Sequence, residues 1–309
     1  MFRVKDLVLL IVTFSSMLLG VLFPNYVRFF RPLPLYCMMS ILFLSFLSIK
    51  ITDVLGALRG DAVKIAVLLL LKLIFLPIIV FFLFQALCPA YTLAAFLLSG
   101  ISTGVVSPFF ADLLKARTSV VLVMVVVSSM VVPFSLPPLV SLFFGQDMEI
   151  PLLGMMRLLF LVIFVPIFLV EVLRRSLPDL TDFLKKRQYP LILVIFAIAN
   201  MGIFSEYADF FYRKPMTIVA AFLVSVALAI FYFLSGLLFS WGRPLQDQLS
   251  VIISFGIMNN VLVLIFSSQF FGPIEPTVAA IYTIPFYGLI LPLRFYRNLR
   301  LRASRKHHP

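Results

Sequence analysis

The chain has 309 residues, 62% of them hydrophobic and 12% charged, with a mean hydropathy of +1.14. A soluble domain carries about a quarter of its residues as Asp, Glu, Lys and Arg, so these values exclude one and indicate a polytopic membrane protein. The formal net charge of +12 lies in loops and tail, which argues for attraction to anionic membrane lipids rather than for nucleic-acid binding.

The amino terminus, MFRVKD followed by LVLLIVTFSSMLLGVLF, has the charge-then-apolar order of a signal peptide. Its apolar run is long and lacks a small-x-small cleavage site, so an uncleaved first span is expected. Apolar runs of about 20 residues then predict ten spanning helices. They fall at roughly 7–24, 33–50, 64–87, 91–114, 118–143, 151–173, 189–205, 214–240, 246–271 and 275–296. Pro, Gly and charge clusters separate them, as in RRSLPDLTDFLKKRQ at 174–188. Cys37 and Cys88 lie in apolar segments without CxxC or metal-ligand spacing and are expected to be packing residues.

Basic residues set the expected orientation. One side collects nineteen, including Arg59, Lys64, Lys115, Arg117, the run from Arg174 to Arg187, and the tail from Arg294 to Lys306. The other side has four: Arg28, Arg31, Arg213 and Lys214. The positive-inside rule puts both termini in the cytoplasm, at an inner or plasma membrane, and requires an even number of spans.

Two stretches inside the apolar runs repeat each other. Ser102-Thr-Gly-Val-Val-Ser-Pro108 matches Ser254-Phe-Gly-Ile-Met-Asn-Asn260 at Ser, Gly and two apolar positions, at an offset of 152. The same offset carries Pro133-Phe134 onto Pro285-Phe286 and Leu139 onto Leu291 without a gap. One offset linking separate motifs predicts two five-helix repeats, residues 1–148 and 149–309. Five is odd, so the second repeat must be inserted upside down, the inverted-repeat plan of secondary transporters. In such a plan the fourth and ninth helices break near the midplane and cross. Gly104 and Gly256 would permit the breaks. The half-helix amino termini then offer free N–H groups to an anion. Ser102, Thr103, Ser107, Asn259 and Asn260 are the candidate substrate contacts. Lone hydroxyls in spanning helices more often act as helix glue, whereas adjacent asparagines are costly enough to need a polar cavity.

The GVVSPFFADLLKARTSVVLV segment, the SSMVVPFSLPP helix and the FGIMNN break together resemble the bile acid:sodium symporter family over nearly the whole chain. The resemblance implies a core domain from spans 3–5 and 8–10 and a panel domain from spans 1, 2, 6 and 7. It also implies a substrate cavity between them and alternating access by relative motion. The family's ninth span reads E-x-G-x-Q-N, whose acid and glutamine help to hold two sodium ions. Here that frame has Ser254 for the acid and Met258 for the glutamine, keeping Gly256 and Asn259. The fourth-span Ser-Asn pair is Ser107-Pro108, and an ungapped register puts Val121 and Val125 at the fifth-span hydroxyl ligands. Ser128 and Ser129 would need a shifted register to contribute. Sodium favours hard oxygen ligands, so two sodium sites are hard to build from this set.

In the third span the family has a glutamine five residues before a proline; here that residue is Lys72, before Pro77. A lysine inside a span costs about 2.5–3.5 kcal/mol on insertion scales and is a functional candidate. Its amine could stand in for the ion, pointing at Ser254 and Met258, or it could snorkel to the cytoplasmic end beyond Lys64. Arg157 and Glu171 lie near the two ends of span six, and His307 and His308 in the tail, so no cluster of metal-ligating type lies at mid-span. There are no paired mid-span carboxylates and no HExxH motif, so neither an enzyme nor a bound cofactor or metal is expected. The expected function is a secondary transporter of a small organic anion, proton-coupled or uncoupled, with Lys72 as a fixed cation. The alternative is a non-transporting receptor or assembly protein on the same scaffold, which a filled, apolar crossing would favour.

Overall fold

The computed structural model describes residues 4–49, 51–146, 149 and 151–306. Arg3, Lys50, His307 and His308 lie outside the described residues, and so do 147, 148 and 150 around the expected repeat boundary at 148–149. The described chain is helical. Its one β-type pairing is an isolated antiparallel bridge between Thr103 and Met258.

In chain order the main helices are α1 (Val4–Leu22), α2 (Pro34–Phe46), α3 (Ile51–Leu70), α4 (Leu76–Leu87), α5 (Thr92–Gly100), α6 (Ser107–Leu114) and α7 (Thr118–Phe144). There follow α8 (Leu152–Ser176), α9 (Pro178–Glu206), α10 (Met216–Phe239), α11 (Leu245–Gly256), α12 (Asn260–Phe270), α13 (Ile274–Ile281), α14 (Thr283–Gly288) and α15 (Ile290–Lys306). Six helical stretches among the described residues are long and apolar enough to cross a membrane: Gly60–Leu87, Thr118–Phe144, Leu152–Ser176, Pro178–Glu206, Met216–Phe239 and Ile274–Arg302. A seventh is obtained if Ile11–Leu22 and Pro24–Phe30, bent by 108°, are taken as one span. The chain is thus an all-helical integral membrane protein.

The apolar runs expected at 33–50, 91–114 and 246–271 form shorter pieces. The 13 residues of α2 reach only about 20 Å at 1.5 Å per residue, short of a hydrocarbon core of about 30 Å. Just past its end the freed carbonyls are paired: Arg174 Nη2 donates to Leu47 O at 3.3 Å and to Ile49 O at 2.8 Å. The stretch at 174–188, expected to be a link, is mostly helix. Pro178 sits at the first turn of α9, where its missing N–H costs nothing, and the helix runs on through Pro190.

The helices pack as two groups that meet where α8 lies on α7. α1 and α2 lie on α9, and α2 also lies on α8. In the other group α3 packs on α7, α4 on α5, α10 on α11, α12 on α13, and α13 on both α10 and α5. At the end of the second group expected to face the cytoplasm, a charge cluster ties three helices. Arg117 donates to Asp247 and to Asp61, each at 3.1 Å, and Lys64 reaches Asp247 at 2.9 Å. Asp61 sits at a non-helical kink of α3, and the Ser250 hydroxyl accepts from the Arg117 N–H at 2.8 Å. Asp247 has two cationic partners and is largely buried, so Asp247→Asn should destabilise the protein by about 1–3 kcal/mol. A thermal-unfolding series in detergent, showing a loss that shrinks at high salt, would check this.

Candidate functional site

The two sequence stretches that repeat each other meet in space. Helix α5 ends at Gly100 and α6 starts at Ser107; α11 ends at Gly256 and α12 starts at Asn260. Between these ends the two extended segments pair. Gly104 N–H donates to Ile257 O at 2.7 Å, and Asn259 N–H donates to Ser102 O at 3.0 Å. The approach is close enough to demand glycine: a Cβ at residue 104 would lie 2.7 Å from Met258 O. At Gly256 a Cβ would meet only the end of the Leu289 side chain, at 2.8 Å, which can move.

Breaking two helices inside an apolar medium frees backbone groups that must find partners within the protein. Thr103 N–H donates to the Ser128 hydroxyl at 3.0 Å, and the Thr103 hydroxyl donates to Ser254 O at 3.0 Å. Tyr282 hydroxyl donates to Gly256 O at 2.7 Å, and Ser107 hydroxyl to Ile257 O at 3.4 Å. Asn259 caps α12, its Oδ1 accepting from Leu262 N–H at 3.3 Å, while its Nδ2 donates to Ser102 Oγ at 3.5 Å. Asn260 Nδ2 donates to Thr283 Oγ1 at 2.7 Å.

A cavity of about 570 Å³ reaches this crossing. Its floor includes Gly104, Pro108, Met258, Asn259 and Asn260, with Thr283 and Tyr287 beside them. One wall is apolar, from Met38, Ile41 and Leu42 of α2 and Ile192, Leu193 and Phe196 of α9. Ser48, Lys185, Lys186 and Gln188 line it as well, and Ser48 hydroxyl donates to Gln188 Oε1 at 2.7 Å. The cavity therefore lies between the two helix groups, with asparagine amides at its floor and lysines on its wall.

Of the five polar residues singled out in the sequence, Asn259 and Asn260 line this cavity. Ser102, Thr103 and Ser107 are fully buried and turned into the crossing itself, where their hydroxyls and backbone pair the freed groups. Three partners of the crossing were not singled out as such: Ser128, Tyr282 and Thr283. Polar side chains in apolar runs were the signal for them, but nothing in the sequence orients them.

Lys72 is fully buried, and its Nζ lies 2.9 Å from Met258 Sδ and 5.8 Å from the centre of the Phe255 ring. It occupies a π-helical turn, Leu71–Phe75, in which Leu76 N–H bonds to Leu71 O. Pro77 explains the turn: it has no N–H to offer the Leu73 carbonyl and its ring crowds that carbonyl, so the helix widens by one residue. The side chain does not run back along the helix toward Lys64. It stands one side chain behind the cavity floor, since Met258 lines the cavity and takes its amine.

The positions that the resemblance assigns to sodium ligands fit that ion poorly. Val121 and Val125 offer only methyl groups, Pro108 a ring, and Met258 a thioether already engaged by Lys72. Ser254 Oγ is a single hydroxyl, buried and without a hydrogen-bond partner. A hard cation needs several oxygens and a compensating carboxylate, and this set supplies neither. Compared with known proteins, the chain matches no family model and no curated sequence.

Proposed function

We propose that this protein is a secondary transporter of a small organic anion, built as two inverted five-helix repeats in ten spans. On this reading it resembles the bile acid:sodium symporters in plan and differs from them in lacking their sodium sites. The observation that carries it is the cavity floored by two crossed helix breaks. It supplies the amino-terminal end of α12 and two asparagine amides to an anion, in a space walled by apolar side chains. Helices α1, α2, α8 and α9 serve as the panel, and the helices around the crossing as the core. On the reading that both termini are cytoplasmic, the lysines on the cavity wall support a mouth on the inner side and an inward-facing conformation. Alternating access then consists of moving the core against the panel. An open, polar-floored crossing favours transport over a receptor or assembly role, for which a filled crossing would suffice.

Lys72 acts here as a built-in cation behind the floor. Neither sulfur nor an aromatic face fully replaces water around an amine, so an anion in the cavity supplies much of its stabilisation. The test is a binding screen. Organic acids that raise the unfolding temperature of the purified protein are titrated against Asn259→Asp, which keeps a capping oxygen for Leu262 N–H but places a negative charge on the floor. Anion affinity should fall tenfold or more while the variant stays folded. Unchanged affinity in Asn259→Asp would return Asn259 to a purely structural cap.

A further inference from the structure

At the opposite end of the molecule a second polar feature is left unused by the anion site. Glu275, in the first turn of α13, is only 8% exposed, and its Oε2 is buried with no hydrogen-bond partner. The neighbouring chain turns at Gly272, where a Cβ would lie 3.8 Å from that same oxygen. Just beyond the end of α9, Tyr207 reaches across from the panel to the core. Its hydroxyl donates to Ser268 O at 3.3 Å and to Phe271 O at 3.4 Å, carbonyls at the carboxyl-terminal end of α12. Burial pushes the Tyr207 phenol up to about 12, so it remains a donor throughout the physiological range. On the orientation proposed above this is the outer side, and Tyr207 is the polar contact by which the panel closes it.

We propose that Glu275 is a proton-binding site at this outer gate, protonated while the panel lies closed and releasing its proton to the outer solution when the gate opens. The inference rests on the transporter reading for what the gate does, but the site stands on its own surroundings. Helix α13 packs against α5, α10 and α12. α5 and α12 contain no ionisable residue, and in α10 the one such residue is Tyr232, whose ring packs against Tyr282. From the panel Tyr207 approaches, a neutral phenol. No cation among these elements is placed to hold a carboxylate, and a carboxylate kept from water with Oε2 unbonded is far costlier than the neutral acid. The first turn of α13, where the Glu275 backbone N–H meets its own carboxyl, offsets only part of the cost of a buried negative charge. Opening therefore exchanges a buried O–H for a hydrated carboxylate plus one proton in the outer solution. Since the closed state holds the extra proton, raising the pH must favour opening.

Two measurements on the full chain in lipid nanodiscs test this without any substrate. Infrared spectra at neutral pH should show the C=O band of a protonated, weakly bonded carboxyl, lost in Glu275→Gln. Absence of such a band in the wild type, or its persistence in Glu275→Gln, would overturn the proposal. For the gate, spin labels are placed at Leu87→Cys in the core and Tyr212→Cys in the panel, both exposed, with Cys37 and Cys88 replaced by alanine. The interlabel distance should lengthen as pH rises, while Glu275→Gln keeps the short distance at every pH and Tyr207→Phe lengthens it even at low pH. A distance that ignores pH, or follows it equally in Glu275→Gln, refutes the coupling. A band lost in Glu275→Gln in a protein that carries no anion would support the proton site and count against the transporter reading alone.

Discussion

Lys72→Met should leave the protein folded and cost it most of its affinity for anions. The substitution keeps much of the side-chain volume beside Met258 and Phe255 and removes the amine that lies 2.9 Å from Met258 Sδ. A unit charge separated from a carboxylate by one intervening side chain, on the order of 7 Å, contributes roughly 2 kcal/mol at an effective dielectric of about 20. That is a loss of about thirtyfold in affinity. Uncharged ligands of the same shape should be affected far less, and the unfolding temperature without ligand should hold or rise, because a buried amine with a sulfur and a ring for partners is exchanged for an apolar chain. Titration of an anion and a neutral analogue against both proteins measures this. Equal losses for the two ligands would mean that Lys72 acts through packing. Wild-type anion affinity would remove it from the site.

The largest effect on stability is expected at Gly104. Its replacement by alanine puts a methyl group 2.7 Å from Met258 O, 3.1 Å from Met258 C and 3.2 Å from Ile257 O, all of them backbone atoms that cannot swing aside. Relief requires separating the two segments, which also breaks the 2.7 Å bond from Gly104 N–H to Ile257 O. Overpacking of this kind costs about 1–3 kcal/mol, and the lost bond in a water-free setting adds to it. Gly56→Ala is the matching control, because nothing lies within 4 Å of a Cβ there and alanine is the better helix former. Thermal unfolding of the two variants in one detergent should move in opposite directions. Similar unfolding temperatures for both would contradict the close crossing.

Much of this arrangement could be read from residue types because apolar surroundings make polar groups conspicuous. Gly104 and Gly256 amid hydroxyls and amides mark the two stretches that the structure brings together at the Thr103–Met258 bridge. Lys72 stands out for the same reason. What could not be read is the direction of each side chain. Ser102, Thr103 and Ser107 face the crossing because two broken helices leave more carbonyls and N–H groups unpaired than the flanking chain can satisfy. Those orphan groups exist only in the folded arrangement, so Ser128, Tyr282 and Thr283 could not be matched to them beforehand. The early start of α9 was obscured because its first turns are charged, and charge between apolar runs looks like a link. Glu275 was hidden in the opposite way: an acid beside Gly272 and Pro273 looks like the exposed start of a helix, and it is buried by the folding of Gly272 and the neighbouring helices around α13.

On the proposed function, an organic anion crosses the membrane through the cavity at the crossed breaks, with Lys72 in place of sodium. Uptake of radiolabelled organic acids into proteoliposomes, compared in sodium and in choline buffers, addresses it most directly. Uptake of at least one acid should proceed at the same rate in both buffers and should be lost in Lys72→Met and Asn259→Asp. Uptake that requires sodium, or that survives both substitutions unchanged, would contradict it.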